Sequence, residues 1–291
     1  MIAACKTCIL EKSLVHYPED APASQIEQYQ NKVRAIVRDF PDDGTGPELA
    51  WEIKQIRKEI FKVKPADFTG IKKHYNQLLL SMEDALKEKI RKAPDPLLSA
   101  VRYAMTGNYI DYSALKTVED AVLLALLDKA DAAVPDPETY AHLRTSIQSA
   151  KKMVYLTDNC GEILLDKLLI EEMLRMNPAL SVTVLVRGSS EGNDATMTDA
   201  EEVGLTSVCR VAGNGAPLDA TVLKCLSAEA RSLMSEADFI MAKGQANYES
   251  LHGSGLPIYF LFMCKCDFFT SRFQVPKYGV ILTGGGNEYE T

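Results

Sequence analysis

The sequence predicts an α/β protein: a Rossmann-like, mainly parallel sheet with helices on both faces, plus an N-terminal all-helical subdomain. Two observations predict it. Through the first half, apolar residues recur at helical spacing in segments ended by proline or glycine. From residue 151 the period changes, and short apolar runs of strand length alternate with helix-length stretches. Strands that are apolar on both sides need helices on both faces of a parallel sheet.

Taken in order, Ile26 to Asp39 carries an apolar stripe on a polar background, as does Pro47 to Val63, with Trp51, Ile53, Ile56, Ile60 and Phe61 near helical spacing. Lys72 to Ala93 is amphipathic and stops at Pro94. Pro96 opens Leu97 to Thr106, which Gly107 breaks. Glu119 to Ala133 and Pro137 to Ala150 complete the helical part. The α/β part then reads as strand Lys152–Thr157, helix Glu162–Met176, strand Leu180–Arg187, a short helix from Thr198 to Gly204, strand Thr206–Val211, helix Leu218–Ala237, and strands Phe239–Ala242, Pro257–Phe262 and Gly279–Leu282. The domains are placed at 1–115 (helical) and 116–291 (α/β), and 291 residues suffice for both.

Composition narrows the function. Apolar residues make up 46% and charged residues 25%, ordinary for a globular protein. A net charge of -8 with no basic stripe argues against nucleic acid as a partner. The N-terminal MIAACKTCIL lacks the layout of a signal peptide, and the longest apolar runs are about a third of a membrane span. The expectation is a cytoplasmic protein with no membrane partner. Seven cysteines, an odd count scattered over a long chain, do not read as a disulfide framework. Cys5-x-x-Cys8 has metal or redox spacing, but no second pair with zinc spacing follows, so reduced thiols are expected. The four histidines are isolated from one another.

In an open parallel sheet, ligands collect at the carboxyl ends of the strands. Four of those ends are polar. Asp158 and Asn159 leave the first strand together, Gly161 permits a tight turn, and Glu162 enters the next helix. A carboxylate and an amide carbonyl are hard oxygen ligands for a divalent ion, although Asp or Asn before a helix also reads as a plain cap. Asp194, in NDAT at 193–196, is placed to add a second carboxylate, or else to cap the helix that follows. Lys243 ends the strand Phe239–Ala242 and begins KGQAN at 243–247. There Gly244, Gln245 and Asn247 suggest free N–H groups and polar side chains aimed at a phosphate, in place of a merely solvated loop. Lys265, between Cys264 and Cys266, is either a charge stabiliser for a phosphoryl group or a surface lysine with a packed stem. In the helical part, Asn108 and Asp111 of GNYID either cap a helix or close over the site.

These segments together resemble the metal-dependent damage-control phosphatases, long catalogued as domain of unknown function 89. The likeness rests on DNCGE at 158–162, NDAT at 193–196, KGQAN at 243–247, Lys265, and AMTGNYIDY at 104–112, in that family's order over nearly the whole chain. The N-terminal CxxC is similar to that of the stand-alone prokaryotic branch. Ala246 departs from the glycine frequent in that loop. The resemblance implies metal ligands at Asp158, Asn159 and Asp194, and an acidic residue near the site at Glu162. It implies phosphate contacts at Lys243 and Lys265, with Gly161, Gly244, Gln245, Asn247, Asn108 and Asp111 around the substrate. The implied activity is hydrolysis of a small phosphorylated metabolite with a divalent metal cofactor (Mn, Co, Ni or Mg), Asp158 or Glu162 assisting proton transfer. Two other readings stand beside it. One is a carboxyl methyltransferase using S-adenosylmethionine, which lacks its glycine-rich loop here. The other is a binding protein that senses a phosphorylated metabolite without turnover.

Overall fold

The computed structural model describes residues 3–112, 115, 117–188 and 192–285. Three helices come first: α1 (Ala3–Leu14), α2 (Ala23–Asp39) and α3 (Gly46–Phe61). Tyr29, Val33 and Val37 recur every four residues on α2, so one stripe meets Leu49, Ile53 and Ile60 of α3 in a separate apolar cluster. A capping box starts α3: Thr45 Oγ1 accepts from the Glu48 amide, and Glu48 accepts from the Thr45 amide.

Next stand α4 (Thr69–Leu80) and α5 (Glu83–Lys92), where the sequence predicts one helix over Lys72 to Ala93. The break at Ser81 and Met82 contains no proline or glycine. The Ser81 hydroxyl donates to Leu78 O and closes one helix, while Met82 O accepts from the Leu86 amide and opens the next. Asp95 caps α6 (Pro96–Gly107), which is buried along most of its length. α7 (Asp120–Asp128) and α8 (Pro137–Ser149) lead to the sheet. The predicted division between 115 and 116 adjoins residues 113, 114 and 116, which lie outside the described residues.

The α/β part runs β1 (Lys152–Leu156), α9 (Glu162–Met176), β2 (Ser181–Val186), α10 (Met197–Glu202), β3 (Arg210–Gly213), α11 (Ala228–Ser235), β4 (Phe239–Lys243), α12 (Gln245–Leu251), β5 (Ile258–Met263), α13 (Asp267–Phe273) and β6 (Val280–Gly284). The sheet order is β3-β2-β1-β4-β5-β6, with every pair parallel except β5 and β6. Side chains alternate across it. Met153 and Tyr155, Phe239 and Met241, and Tyr259 and Leu261 enter one core with α9 and α6. Val154 and Leu156, Ile240 and Ala242, and Phe260 and Phe262 enter the other with α11, α12 and α13. α9 is wedged between the sheet and the helical part, packed on α4 and α6, so nearly all of it is buried. Each of its buried leucines is worth about 2–5 kcal/mol against truncation to alanine.

Other predicted elements differ in detail. Thr206 to Val211 is not one strand: Leu205–Ser207 forms a 3-10 turn, and pairing begins at Arg210 on a half-buried edge. Leu218 to Ala237 is not one helix: a 3-10 turn at Leu223–Cys225 precedes α11, whose start is fixed by Ser227 accepting from the Ala230 amide. α1 has no counterpart in the sequence reading, and neither do α12 and α13. The last two have 7 residues each, too few for a helical period to register. No described helix is long and apolar enough to cross a membrane, and all seven cysteines are free.

Candidate active site

The strand order reverses between β1 and β4, and in such sheets the crevice beyond the carboxyl ends opens there. Leu156 is level with Ala242 and with Leu185, so the residues leaving β1, β2 and β4 emerge side by side. The segment after β2 then folds back over the segment after β1. Asn159 and Asp194 form an antiparallel bridge, Ala195 N donates to Asp158 O (2.8 Å), and Cys160 N donates to Asn193 O (2.8 Å). This small ladder sets the Asp158 and Asp194 carboxylates beside each other. Gly161 takes a φ of 66°, and its N–H donates to Asn76 Oδ1 of α4 (2.7 Å). A Cβ there would meet Tyr75 Cβ at 2.7 Å, so only glycine makes this turn beneath the helical part.

Arg187, immediately after β2, joins the two acids. Its Nε donates to Asp194 Oδ2 (2.5 Å), its Nη1 to Thr221 Oγ1 (3.0 Å) and Asn247 Oδ1 (3.2 Å), and its Nη2 reaches Asp158 Oδ1 at 3.5 Å. A second group lies alongside. Lys243 Nζ donates to Glu162 Oε1, to Asp166 Oδ1 (2.8 Å) and to Ala104 O (2.8 Å), and it is fully buried. Asn108 links the groups: its Nδ2 donates to Asp158 Oδ2 (2.9 Å) and Glu162 (3.1 Å), and its Oδ1 accepts from the Met263 amide (3.0 Å). Lys265 pairs with Asp111 (2.7 Å). From α4, Lys72 donates to Asp194 O (2.5 Å) and to Asp199 Oδ2 (2.9 Å).

Burial sets the electrostatics. Asp158 is held well above the usual carboxylate range by burial first, then by Glu162, Asp194 and Asp111, against the pull of Arg187. Burial likewise raises Asp194 and Asp166 to about 6 each, with Arg187 and Lys243 opposing. Burial also works against the charge of Lys243, but Asp166 and Glu162 outweigh it and hold the ammonium above its ordinary range.

The structure therefore brings together Asp158, Asn159, Glu162, Asp194, Lys243, Asn247, Asn108 and Asp111, with Lys265 beside Asp111. Asn108, the C-cap residue of α6, also reaches Asp158 and Glu162, and Asp111 pairs with Lys265. Three expectations change. All three N–H donors of Lys243 are already matched to acceptors, so the ammonium is the keystone of a buried ion cluster. The Gly244 amide is not free, because it donates to Leu261 O (3.0 Å). Its lack of a side chain serves another end: a Cβ there would sit 2.0 Å from Asp158 Oδ2. Gln245 and Asn247 lie on α12, not on a loop. Asn247 turns into the site, whereas Gln245 faces Glu249 (2.9 Å) and Cys266 (3.7 Å).

Arg187, Asp166, Asn193, Lys72 and Asn76 were not singled out from the sequence. Arg187 had a signal, a charged residue ending an apolar strand, the same signal that marked Lys243. Asp166 had one too: it stands one turn after Glu162 on an otherwise apolar helix face. Lys72 and Asn76 read as the solvated face of an amphipathic helix and carried no signal.

Among the described residues, no three His, Cys, Asp or Glu side chains gather as metal ligands, at the strand ends or around Cys5 and Cys8. The strand ends offer two carboxylates and one carboxamide. The Asn159 amide is turned so that Nδ2 donates to Asp158 Oδ2 (2.8 Å) while Oδ1 accepts from Asn193 (2.9 Å). The charge balance is telling. Five buried acids (Asp111, Asp158, Glu162, Asp166, Asp194) face three buried bases (Arg187, Lys243, Lys265), while Lys72 and Asp199 neutralise each other. Burial holds Asp158 above the ordinary carboxylate range, so the excess of two acids is a count of groups and not of charges. Hard oxygen donors in excess over the bases fit a divalent cation, which would favour their ionised form. Two surface hollows, of about 1010 and 300 Å³, are lined by other residues, and the acids themselves are covered: Asp158 and Asp194 are each 5% exposed.

A doubly wound sheet with a helical roof over an acid-rich cluster at its switch point defines the class: an α/β protein of the kind in which ligands collect at that point, here between β1 and β4. The model of the damage-control phosphatase ARMT1-like domain matches residues 1–281, and the chain belongs to that family. It is 32% identical over 275 residues to a damage-control phosphatase of Archaeoglobus fulgidus, covering 90% of this chain and 91% of that protein. It is 31% identical over 228 residues to the damage-control phosphatase PH1575 of Pyrococcus horikoshii, covering 75% of each. The crystal structure of PH1575, described as a DUF89 family protein, superposes with a TM-score of 0.76 over 98% of this chain and 99% of that one. At 22% identity, that superposition speaks for the fold. The relatives so named support a phosphatase.

Proposed function

We propose that this protein is a metal-dependent phosphomonoester hydrolase acting on small phosphorylated metabolites, such as sugar phosphates or damaged phosphometabolites. The observation that carries the reading is the convergence of Asp158 and Asp194 at the switch point, in a buried cluster where acids outnumber bases, in a chain of this family. Asp158, Asn159 and Asp194 are the residues that would hold the ion. A divalent cation there supplies Lewis-acid polarisation of a phosphoryl oxygen and a more acidic water. The protein's own groups do the rest. Glu162, fixed by Asn108, Asn159 and Lys243, orients the carboxylate of Asp158 beside it through the shared Asn108 and Asn159 amides. Lys265 offers an ammonium to the negative charge that grows on the phosphoryl oxygens. The helical roof excludes bulk water, which strengthens each of these contacts. Cleavage consumes one water: its oxygen forms the new P–O bond, and its proton ends with the electron pair on the departing oxygen, giving the alcohol.

The test is phosphate release from a panel of sugar phosphates with Mn²⁺, Co²⁺, Ni²⁺ or Mg²⁺, comparing wild type with Asp194→Ala. Loss of at least about a hundredfold in the variant is expected, the scale of losing a metal-site group. Full metal-dependent activity in Asp194→Ala defeats the site assignment. No observation favours the methyltransferase reading. The turn after β1, where its glycine-rich loop belongs, is packed against Tyr75 and lined with acids.

A further inference from the structure

We propose that Arg187 is a substrate-contacting residue, with its Nη2 donating to a phosphoryl oxygen lodged beside Asp158; the inference rests on the phosphatase reading above. A guanidinium has five N–H donors in a rigid fork. Three of those of Arg187 are matched: Nε to Asp194, and Nη1 to Thr221 and Asn247. Nη2 carries two more, and its one hydrogen-bond contact among the described residues is Asp158 Oδ1 at 3.5 Å, the outer limit for such a bond. The side chain is 2% exposed, so bulk solvent does not reach it, and a charged donor in such a place is costly to leave poorly matched.

The fork is also held still. The Asn247 carbonyl that accepts from Nη1 also accepts from the Thr221 amide (2.8 Å), and the Asn247 Nδ2 donates to Lys243 O (2.7 Å). Arg187 is thereby anchored on three sides, with its fourth turned toward Asp158. The contrast with Lys243 is direct. Every donor of that ammonium is matched, and reaching an oxyanion from there would strip Glu162 and Asp166 of their cation. A guanidinium nitrogen held in place beside a carboxylate is suited to a charge-assisted hydrogen bond with one oxygen of a phosphate.

Binding of inorganic phosphate to the Mn²⁺-loaded protein, followed by calorimetry, tests this without turnover. Arg187→Gln should weaken phosphate by about tenfold to a hundredfold, the effect of removing a charge-assisted hydrogen bond. Arg187→Lys, which keeps the charge but loses the fork, should fall between. That variant also decides the question if Arg187→Gln melts below the assay temperature. An Arg187 that only balances the acids gives the opposite pattern: tighter Mn²⁺ in Arg187→Gln and unchanged phosphate. That result overturns the proposal, as does wild-type protein that binds no phosphate. If phosphate binds and depends on Arg187, yet no ester in the panel is cleaved in any metal, then the phosphatase reading fails and the Arg187 contact stands.

Discussion

Replacing Gly244 with alanine probes the closest approach in the site. Gly244 sits at φ 85° and ψ 153°, a region open essentially to glycine alone. Forcing alanine into it costs about 1–3 kcal/mol. A collision is added to that strain. The new Cβ would lie 2.0 Å from Asp158 Oδ2 and 2.3 Å from its Cγ, whereas real Cβ contacts stay beyond 3.0 Å. The Asp158 carboxylate must therefore retreat by about 1 Å, and misplacement on that scale costs about a hundredfold in rate. For a chain of this size the backbone strain corresponds to a fall in Tm of roughly 2–6 °C. Thermal melts and metal-dependent phosphate release, run side by side, read both consequences. Ala246→Gly, two residues along on α12, is the control: it should cost about 0.5–1 kcal/mol of helix stability and leave turnover intact. If Gly244→Ala melts with wild-type Tm and turns over at wild-type rate, then the contact between Gly244 and Asp158 does not govern the site.

Lys243→Met leaves Glu162 and Asp166 buried without their cation and should destabilise the fold by about 3–5 kcal/mol in urea titrations, whatever it does to activity. Unchanged stability with a raised KM would instead make Lys243 a phosphate ligand and not a keystone. Glu249 offers a pH test away from the site. Burial holds its carboxyl above the ordinary range, opposed by the Gln245 hydrogen bond and Lys12. A raised folded pKa favours the folded state fully below the unfolded value, and that advantage is lost as pH rises through the folded value. Glu249→Gln, neutral at every pH, should therefore raise Tm relative to wild type at pH 8 and lose that gain at pH 4. A gap of the same size at both ends of the range refutes this account.

Much of the fold was legible because burial writes a period. β1, β4 and β5 are apolar on both faces, and α2, α3 and α6 carry stripes or N-terminal prolines. Apart from α1, which has 12 residues, what escaped lacked a period long enough to register. β3 is an edge strand of 4 residues, and α12 and α13 span two turns each. The break between α4 and α5 is made by hydrogen bonds at Ser81 and Met82, with no proline or glycine to mark it. The strand-end acids were visible because polar residues directly after apolar strands have no packing reason to be there. Their partners were visible only in part. Arg187 and Asp166 broke an apolar pattern and could have been found. Lys72 and Asn76 sat where charge and amide are ordinary, and only the docking of α4 against residues 161 and 194 turns them inward. The allotment of roles among cations was not legible at all, since donor counts need geometry.

The helical roof has a consequence for how damage to this protein should be classified. Asn76 holds the Gly161 amide, Lys72 holds the Asp194 carbonyl, and Asn108 holds Asp158 and Glu162. The strand ends thus take their final geometry from helices laid down far earlier in the chain. A lesion at residue 72, 76 or 108 belongs with lesions at residue 158 or 194, though none of the three follows a strand of the sheet. The unit of inheritance for this site is the whole span from α4 to Lys265, and a fragment holding the complete sheet without α4 and α6 would keep its acids and lose their arrangement.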